Sequence, residues 1–233
     1  MRNFLRFVVF VTALVTILVV VVGPLVARPL IEALVRDALP FEDDSVTVAV
    51  GLGPSLLAGE VETLSIEGRK LRTDQVTIGR LKVDLAGFNV IDRSFKDIDG
   101  RLEDVELELE DNPVVVVHRV ELGGRSDALM ASVILDARST EQVVRSKLAE
   151  QGIQPDAVRL TAGSLEIEAQ GVAVRATMSA HDGGLYLETG RLTPPIALLE
   201  SGELGPWLVL SATISASGLV IEATTTLEAL LPR

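Results

Sequence analysis

Apolar and polar residues alternate with a period of two along most of the chain after Ser45. The alternation is clean in Val46–Val50, in Leu64–Ile66 and in Asp104–Glu110. Successive side chains of a β-strand point to opposite faces of a sheet, so each of these segments predicts a strand with one apolar face. The pattern predicts about ten such strands, and each apolar face needs a cover.

One of the predicted strands changes phase along its length. Val76 and Ile78 are apolar in one phase, whereas Leu81 and Val83 are apolar in the other. One residue is therefore inserted at Gly79, and an inserted glycine predicts a β-bulge in a bent strand.

Two segments have the 3.6-residue period of an amphipathic helix. The first is Arg28–Leu39, and the second opens at Ser139 as a predicted N-cap and ends at Gly152. Val144 and Leu148 belong to the narrow apolar stripe of the second helix. Such helices cannot cover about ten strands, so the sheet covers itself, as a sandwich or a rolled tube, or covers a ligand. The predicted class is α+β, mostly antiparallel β, with an elongated curved sheet or a tubular, barrel-like arrangement.

The segment Phe7–Ala27 is predicted to cross a membrane. It has 21 residues and no charge, and a helix of that length matches a hydrocarbon core of about 30 Å. Arg2 and Arg6 precede it, and positive charge before a first span keeps that end in the cytoplasm. We expect a plasma-membrane anchor over residues 1–27 and one extracytoplasmic domain over residues 28–233.

A cleaved secretory signal is the alternative interpretation of this segment. Signals of that kind have an apolar stretch of about 7–15 residues and a small-x-small cleavage site. Here the stretch is longer, and the best cleavage motif, Leu25-Val26-Ala27, has a bulky leucine where a small residue belongs. Cleavage would make the protein secreted, and the domain lies outside the cytoplasm in either case.

Composition narrows the classes of partner. The chain has 21 basic and 33 acidic residues, which argues against a nucleic-acid-binding surface. It has no cysteine, so no disulfide supports the fold. Hydrophobic residues make up 48% of the chain but aromatic residues only 3%, an aliphatic composition that suits acyl chains better than sugars or bases. A β-rich fold alone would also explain the valine content.

A search for catalytic or metal-binding motifs finds none. His118 is predicted on the apolar face of a valine-rich strand, and His181 begins a turn. The acids of Asp104–Glu110 alternate along one strand, so they lie roughly 7 Å apart and cannot converge on one ion. We expect neither an enzyme nor a cofactor. A hydrolase of envelope lipids, with a site assembled only by folding, is the third hypothesis, and a panel of ester substrates would test it.

Several segments in sequence resemble one known family. They are PSLLAGEVETLSIEG, VTIGRLKVDLAG, the helix opening STEQVV, DAVRLTAGSLEIEA and the closing GLVIEAT. In pattern, over roughly residues 28–228, the chain resembles the LmeA-like phospholipid-binding proteins of actinobacterial cell envelopes. The resemblance implies a curved antiparallel sheet wrapped around helix and lipid. It also implies phospholipid binding outside the plasma membrane in support of envelope lipid or lipoglycan assembly, with no motif residues to carry across.

The leading hypothesis is a membrane-anchored protein that holds the acyl chains of phospholipids in an aliphatic tunnel. The alternative is a structural β-domain with a filled core that recruits an envelope enzyme, and no protein partner is identified. The tunnel is predicted from the inward positions of the strands and the second helix. These positions are Leu64, Ile66, Ile78, Leu81, Val83, Val105, Leu107, Val116, Leu135, Val144 and Leu148.

Overall fold

The structure, a computed structural model, consists mostly of antiparallel strands in two sheets. It describes residues 46–51, 60–72, 76–89, 92, 94–109, 112–190, 194–203 and 205–230. The larger sheet has eight strands, among them four of 13 or 14 residues, which is long for a globular protein. Its strands are β1 (Thr47–Gly51), β2 (Glu60–Arg72), β3 (Val76–Asn89), β4 (Asp97–Leu109), β5 (Asn112–Arg125), β6 (Ala128–Asp136), β12 (Leu208–Ser215) and β13 (Gly218–Thr225).

The smaller sheet lies between β6 and β12 in the chain. It is a meander of five strands, and two of its turns, Gln170-Gly171 and Asp182-Gly183, have positive φ at both residues, as tight antiparallel hairpins require. The turn predicted at HDGG is thereby confirmed. The strands are β7 (Ala157–Thr161), β8 (Ser164–Ala169), β9 (Val172–His181), β10 (Gly184–Glu188) and β11 (Ile196–Leu199). Two helices complete the described part, α1 (Ala137–Glu150) and α2 (Leu227–Leu230).

The order of strands shows how the two sheets meet. The large sheet runs β1-β2-β3-β4-β5-β6-β13-β12, and the small one runs β11-β10-β9-β8-β7. Strand β12 also meets turns of the small sheet, where Gly163 N donates to Ile214 O and Val209 N donates to Gly183 O. Helix α1 contacts β5, β6 and β13 of one sheet and β7 and β11 of the other, so it lies where the two sheets come together.

Four long strands of the large sheet change the phase of their side-chain alternation at one shared row. We call the row Lys70, Gly79, Asp104 and His118 the crease, because flanking pairs place these residues opposite one another on β2, β3, β4 and β5. Lys70 and Asp104 have φ of 54° and 53°. At the crease each of the four strands has two successive residues on its outward face. The alternation of inward and outward side chains therefore shifts by one residue in all four strands at the same row.

The crease corrects the prediction at Gly79. The phase change there is confirmed, because Ile78 and Leu81 are both buried. A register-shifting bulge at Gly79 is wrong, since β3 keeps one register with β2 and with β4 on both sides of it. Lys70 on β2 and Asp104 on β4 lie opposite Gly79 and have left-handed backbone conformations. Each neighbouring strand therefore also places an extra residue on the outward face, and the register is kept. Among the described residues of the large sheet, the register shifts instead within three other strand pairs. These shifts lie between Val117 and Arg119 in the β5–β6 pair, between Leu107 and Leu109 in the β4–β5 pair, and between Val209 and Ser211 in the β12–β13 pair.

The left-handed backbone conformation of Lys70 predicts that glycine at this position raises the free energy of unfolding. A non-glycine residue in this region is strained by about 1–2 kcal/mol, and glycine is not. We expect Lys70→Gly to raise the free energy of unfolding by about 1 kcal/mol after the entropy cost of glycine. In the ordinary strand position Glu106, the same change to glycine should lower it by about 0.5–1 kcal/mol. Urea unfolding compares the two variants, and a loss of stability in both would show that the crease carries no strain at Lys70.

Two further predictions about elements are corrected. Helix α1 begins before Ser139, because Asp136 is the N-cap and its Oδ1 accepts from Ser139 N at 2.6 Å. Its predicted end is confirmed, since Gly152 has φ of 78° and its N–H donates to Ala149 O. The sequence from Ile196 to Glu200 predicts a helical turn, and this prediction is wrong, because Ile196–Leu199 is strand β11 and pairs with β10.

Candidate functional site

The inward face of the large sheet is a continuous aliphatic surface that includes most of the predicted tunnel positions. These side chains belong to one connected cluster of buried residues, and none is more than 4% exposed. They are Leu64, Ile66, Ile78, Leu81, Val83, Val105, Leu135, Val144 and Leu148. The structure therefore places nine of the eleven positions together, and their contact with lipid stays a prediction.

Val116 was assigned to the wrong face. Val115 and Val117 are buried, with 4% and 0% exposure, so Val116 between them points outward and is half-buried. The prediction assumed that every second residue from Val116 through His118 to Val120 points inward. The alternation shifts by one residue at the crease, so Val117 and Val120 point inward instead. For the same reason His118 is exposed rather than on the apolar face, and its Nδ1 lies 3.7 Å from Asp104 Oδ1.

The remaining predicted positions are described only in part or not at all. The backbone of Leu107 is part of β4 and pairs with Val76 and Val115, but its side chain lies outside the described part of the structure. The segment Phe7–Ala27 and the amphipathic segment Arg28–Leu39 also lie outside the described residues. Neither described helix combines the length and the apolar character that crossing a bilayer requires.

Among the side chains that the structure describes, none that is polar is buried on the inward face of the five strands β1 to β5. The buried polar residues of the described part are Ser139, Thr140, Lys147, Ser164 and Thr225, which belong to α1, β8 and β13. Helix α1 adds Val144 and Leu148 to the apolar cluster. An apolar surface of this kind offers dispersion contacts and hydrophobic burial but no hydrogen bond, so it selects for hydrocarbon.

The inward face is also closed to solvent, because its side chains are almost completely buried. Two open concavities instead involve the outward face of the large sheet. The first has a volume of about 480 Å³ and lies at β1, β2 and β3. The second has a volume of about 330 Å³ and is lined by residues of β4, β5, β6 and β13, including Asp99, Arg101, Glu121 and Glu222.

The structure describes the two histidines and part of the acidic strand that the sequence search considered for catalysis or metal binding. Within the described ranges, no group of three or more histidine, cysteine or acidic side chains could hold a metal ion. His181 is the last residue of β9, and its ring stacks on Tyr186 with centroids 3.9 Å apart. Asp104 and Glu106 are exposed, which fits the solvated acidic face predicted for that strand.

A group of basic side chains near the first concavity was not among the predicted sites. Strand β2 carries Arg69, Lys70 and Arg72, and the adjacent strand β3 carries Arg80 and Lys82. All five are exposed. The signal was the segment RKLR within an acidic chain, and only strand pairing shows that Arg80 lies directly opposite Arg69.

A comparison of the chain with models of known protein families, with curated proteins and with solved structures found no match.

Proposed function

We propose that this protein is a membrane-anchored, extracytoplasmic phospholipid-binding protein that holds acyl chains against the inward face of its large sheet. The observation that carries the proposal is the aliphatic surface over β1 to β5, which continues on both sides of the crease and has no buried polar side chain among the residues described there. The resemblance to the LmeA-like family supports the same function. In this proposal the bent sheet is the wall of an elongated, tubular lipid-binding fold, and Phe7–Ala27 anchors it with the N-terminus in the cytoplasm.

The closed state of the inward face sets a requirement on binding. An acyl chain reaches Leu81 or Val83 only if the side chains that bury them move apart. Each buried methylene gains about 0.8 kcal/mol, so affinity rises with chain length and is shared among many residues.

Lipid extraction and uptake test this proposal. We expect residues 28–233, folded by circular dichroism, to retain phospholipid in native mass spectrometry and to take up a fluorescent phospholipid. Val144→Gln should lower uptake at least about tenfold, because it places an amide among the buried aliphatic side chains. The exposed position on the same helix, Ala149→Gln, is the matched control and should leave uptake unchanged.

A protein that carries no lipid and takes up none would contradict the proposal. Uptake that does not depend on acyl-chain length would also contradict it, because a hydrocarbon site must respond to each methylene. Thermal melts of both variants show whether a loss of uptake comes from the site or from unfolding.

A structural β-domain is the second candidate, and the near-complete burial of the inward face favours it. Ile66, Ile78 and Val105 are 0% exposed, as in a filled core. Such a domain would recruit an envelope enzyme through acidic outward residues such as Asp99 and Glu222. It predicts that extraction with organic solvent leaves the melting temperature unchanged, whereas a lipid-filled domain loses stability by ligand linkage.

A further inference from the structure

One end of the small sheet lies away from the large sheet. Strand β12 meets the β7–β8 turn at Gly163 and the β9–β10 turn at Gly183. Successive turns of an antiparallel meander lie at alternate ends of its strands, so the β8–β9 turn, Gln170-Gly171, lies at the end opposite β12. We call residues 152–156 and 169–174, which meet at this end, the tip.

Hydrogen bonds join the two segments of the tip. Residues 152–156 connect helix α1 to β7, and Asp156 N donates to Glu168 O at 2.7 Å. The Oδ2 atom of Asp156 accepts from Gln170 N at 2.9 Å. A Cβ added at Gly171 would meet nothing within 4 Å, so the turn faces open space.

The apolar face of β9 emerges from the core at the tip. Val172, Val174 and Ala176 lie on one face of this strand, and their exposed fractions are 61%, 36% and 1%. Val174 pairs directly with Ile167 of β8, a buried member of the connected aliphatic cluster. Ile153, on the other segment of the tip, is also exposed. The aliphatic surface of the interior therefore continues into solvent at this end.

Strand propensity explains only part of this pattern. Valine favours strands, which accounts for Val172 and Val174 on β9. It does not account for Ile153, which precedes β7 and belongs to no strand. Single exposed aliphatic side chains are common, whereas a group of them at one end of a fold marks contact with a protein or a membrane.

The charge of the tip favours a lipid surface. Asp156 is the one charged side chain in the tip, and it already accepts from Gln170 N. A second exposed apolar side chain, Met130, has different surroundings, because it lines the 330 Å³ concavity together with Asp99 and Glu222. Carboxylates resist transfer from water to lipid, so a bilayer accepts the tip more readily than the surface around Met130.

The predicted anchor keeps the domain beside a bilayer. Residues 28–45 connect the segment Phe7–Ala27 to the first described residue, Val46, and a chain of that length spans at most roughly 60 Å. A tether raises the effective concentration of the membrane at the domain. A few aliphatic side chains then suffice for a reversible contact.

We propose that the tip contacts the surface of a lipid bilayer, with Ile153, Val172 and Val174 entering the boundary between headgroups and acyl chains. Apolar side chains enter this boundary by about 5–10 Å. The contact is hydrophobic, so it forms on zwitterionic phosphatidylcholine and does not depend on salt. The tip is also where acyl chains enter the protein, because Val174 lies beside the buried Ile167, and this second statement rests on the proposed function.

Tryptophan quenching in vesicles tests the contact with the full chain. The chain carries Val172→Trp and is reconstituted in phosphatidylcholine with brominated acyl chains, which quench tryptophan that reaches the hydrocarbon. The native Trp207 is buried and gives a constant background. We expect quenching several-fold above that of the unaltered chain, at low and at high salt. Leu210→Trp on β12 is the matched control, because Leu210 is also exposed, and it should add no quenching.

Several results would overturn the bilayer contact. They are equal quenching of the two tryptophan variants, no added quenching of Val172→Trp, or quenching that disappears at high salt. A tip that meets a second copy of the chain would leave Val172→Trp unquenched and so gives the second of these results. Circular dichroism melts show that both variants remain folded, and quenching is a gain of signal that unfolding at an exposed position of β9 does not restrict to one variant.

Two lipid sources separate the tip from the acyl-chain proposal. Val172→Asp should slow uptake of a fluorescent phospholipid from vesicles several-fold and leave uptake of a dispersed short-chain phospholipid unchanged, whereas Leu210→Asp should change neither. Equal slowing from both sources overturns the tip as the entrance. Quenching of Val172→Trp in a protein that takes up neither lipid supports the bilayer contact and overturns the acyl-chain function. Lipid uptake without that quenching overturns the bilayer contact and leaves the acyl-chain proposal intact.

Discussion

Val117→Lys should unfold the domain, whereas Val116→Lys should leave it folded. Val117 is 0% exposed on the inward face, next to the crease, and an ammonium group there has no described partner among aliphatic side chains. A buried unpaired charge costs several kcal/mol, enough to exceed the stability of many domains. We expect a loss of at least about 4 kcal/mol in urea unfolding, or no folded protein at all.

Val116→Lys is the matched control on the adjacent residue. Val116 is half-buried on the outward face and lies directly opposite the exposed Glu106. A lysine there gains an opposite charge across the strand pair, so the free energy of unfolding should change by less than about 1 kcal/mol. Equal effects at the two positions would show that the phase change at the crease is wrong. A folded Val117→Lys variant with lost lipid uptake would instead support an open, wet lumen.

Gly218→Ala should be the most damaging change to a turn of the large sheet. Gly218 begins β13 after the turn at Ala216-Ser217, and it pairs with Asp136, the N-cap of α1. Its φ is 154°, and an added Cβ would overlap the carbonyl oxygen of Leu135 on β6. Since backbone must shift between two central strands, we expect a loss of about 3–5 kcal/mol in thermal or urea unfolding.

Gly171→Ala separates strain of the backbone from the clash. Gly171 has a φ of 77° in the β8–β9 turn, and a Cβ there meets nothing within 4 Å. Only the left-handed conformation is penalised, so we expect a loss of about 1 kcal/mol. A cost at Gly218 no larger than the cost at Gly171 would mean that β6 and β13 tolerate the added methyl group.

The positions of strands could be predicted because most strands have one buried apolar face, although β9 exposes Val172 and Val174. Val46, Val48 and Val50 alternate in the sequence and all three are buried, Val48 and Val50 within β1 and Val46 directly before it. The alternation after Trp207 likewise predicts a closing hairpin that turns at Ala216-Ser217-Gly218, and the structure has this hairpin as β12 and β13, with Gly218 as the first residue of β13. Short segments could not be predicted in the same way. Ile196–Leu199 was predicted to be helical, because four residues cannot distinguish a period of 2 from one of 3.6.

The start of α1 shows a second limit of reading a sequence. Ser139 and Asp136 are both good N-cap residues, and local sequence ranks them nearly alike. The choice depends on where β6 ends, and β6 stays paired with β13 as far as Asp136. The helix can therefore begin only at Ala137, and Ser139 becomes a buried residue whose hydroxyl accepts from Val116 N at 3.3 Å.

The sequence by itself determined the β-rich class of this protein, the apolar face of most strands and the prediction of an N-terminal anchor. These properties depend on the spacing of side chains along one chain. Tertiary structure decided the crease, the outward position of Val116 and His118, and the opposition of Arg69 and Arg80. Each of these depends on which residues of different strands lie side by side, and hydrogen bonding between distant segments sets that register.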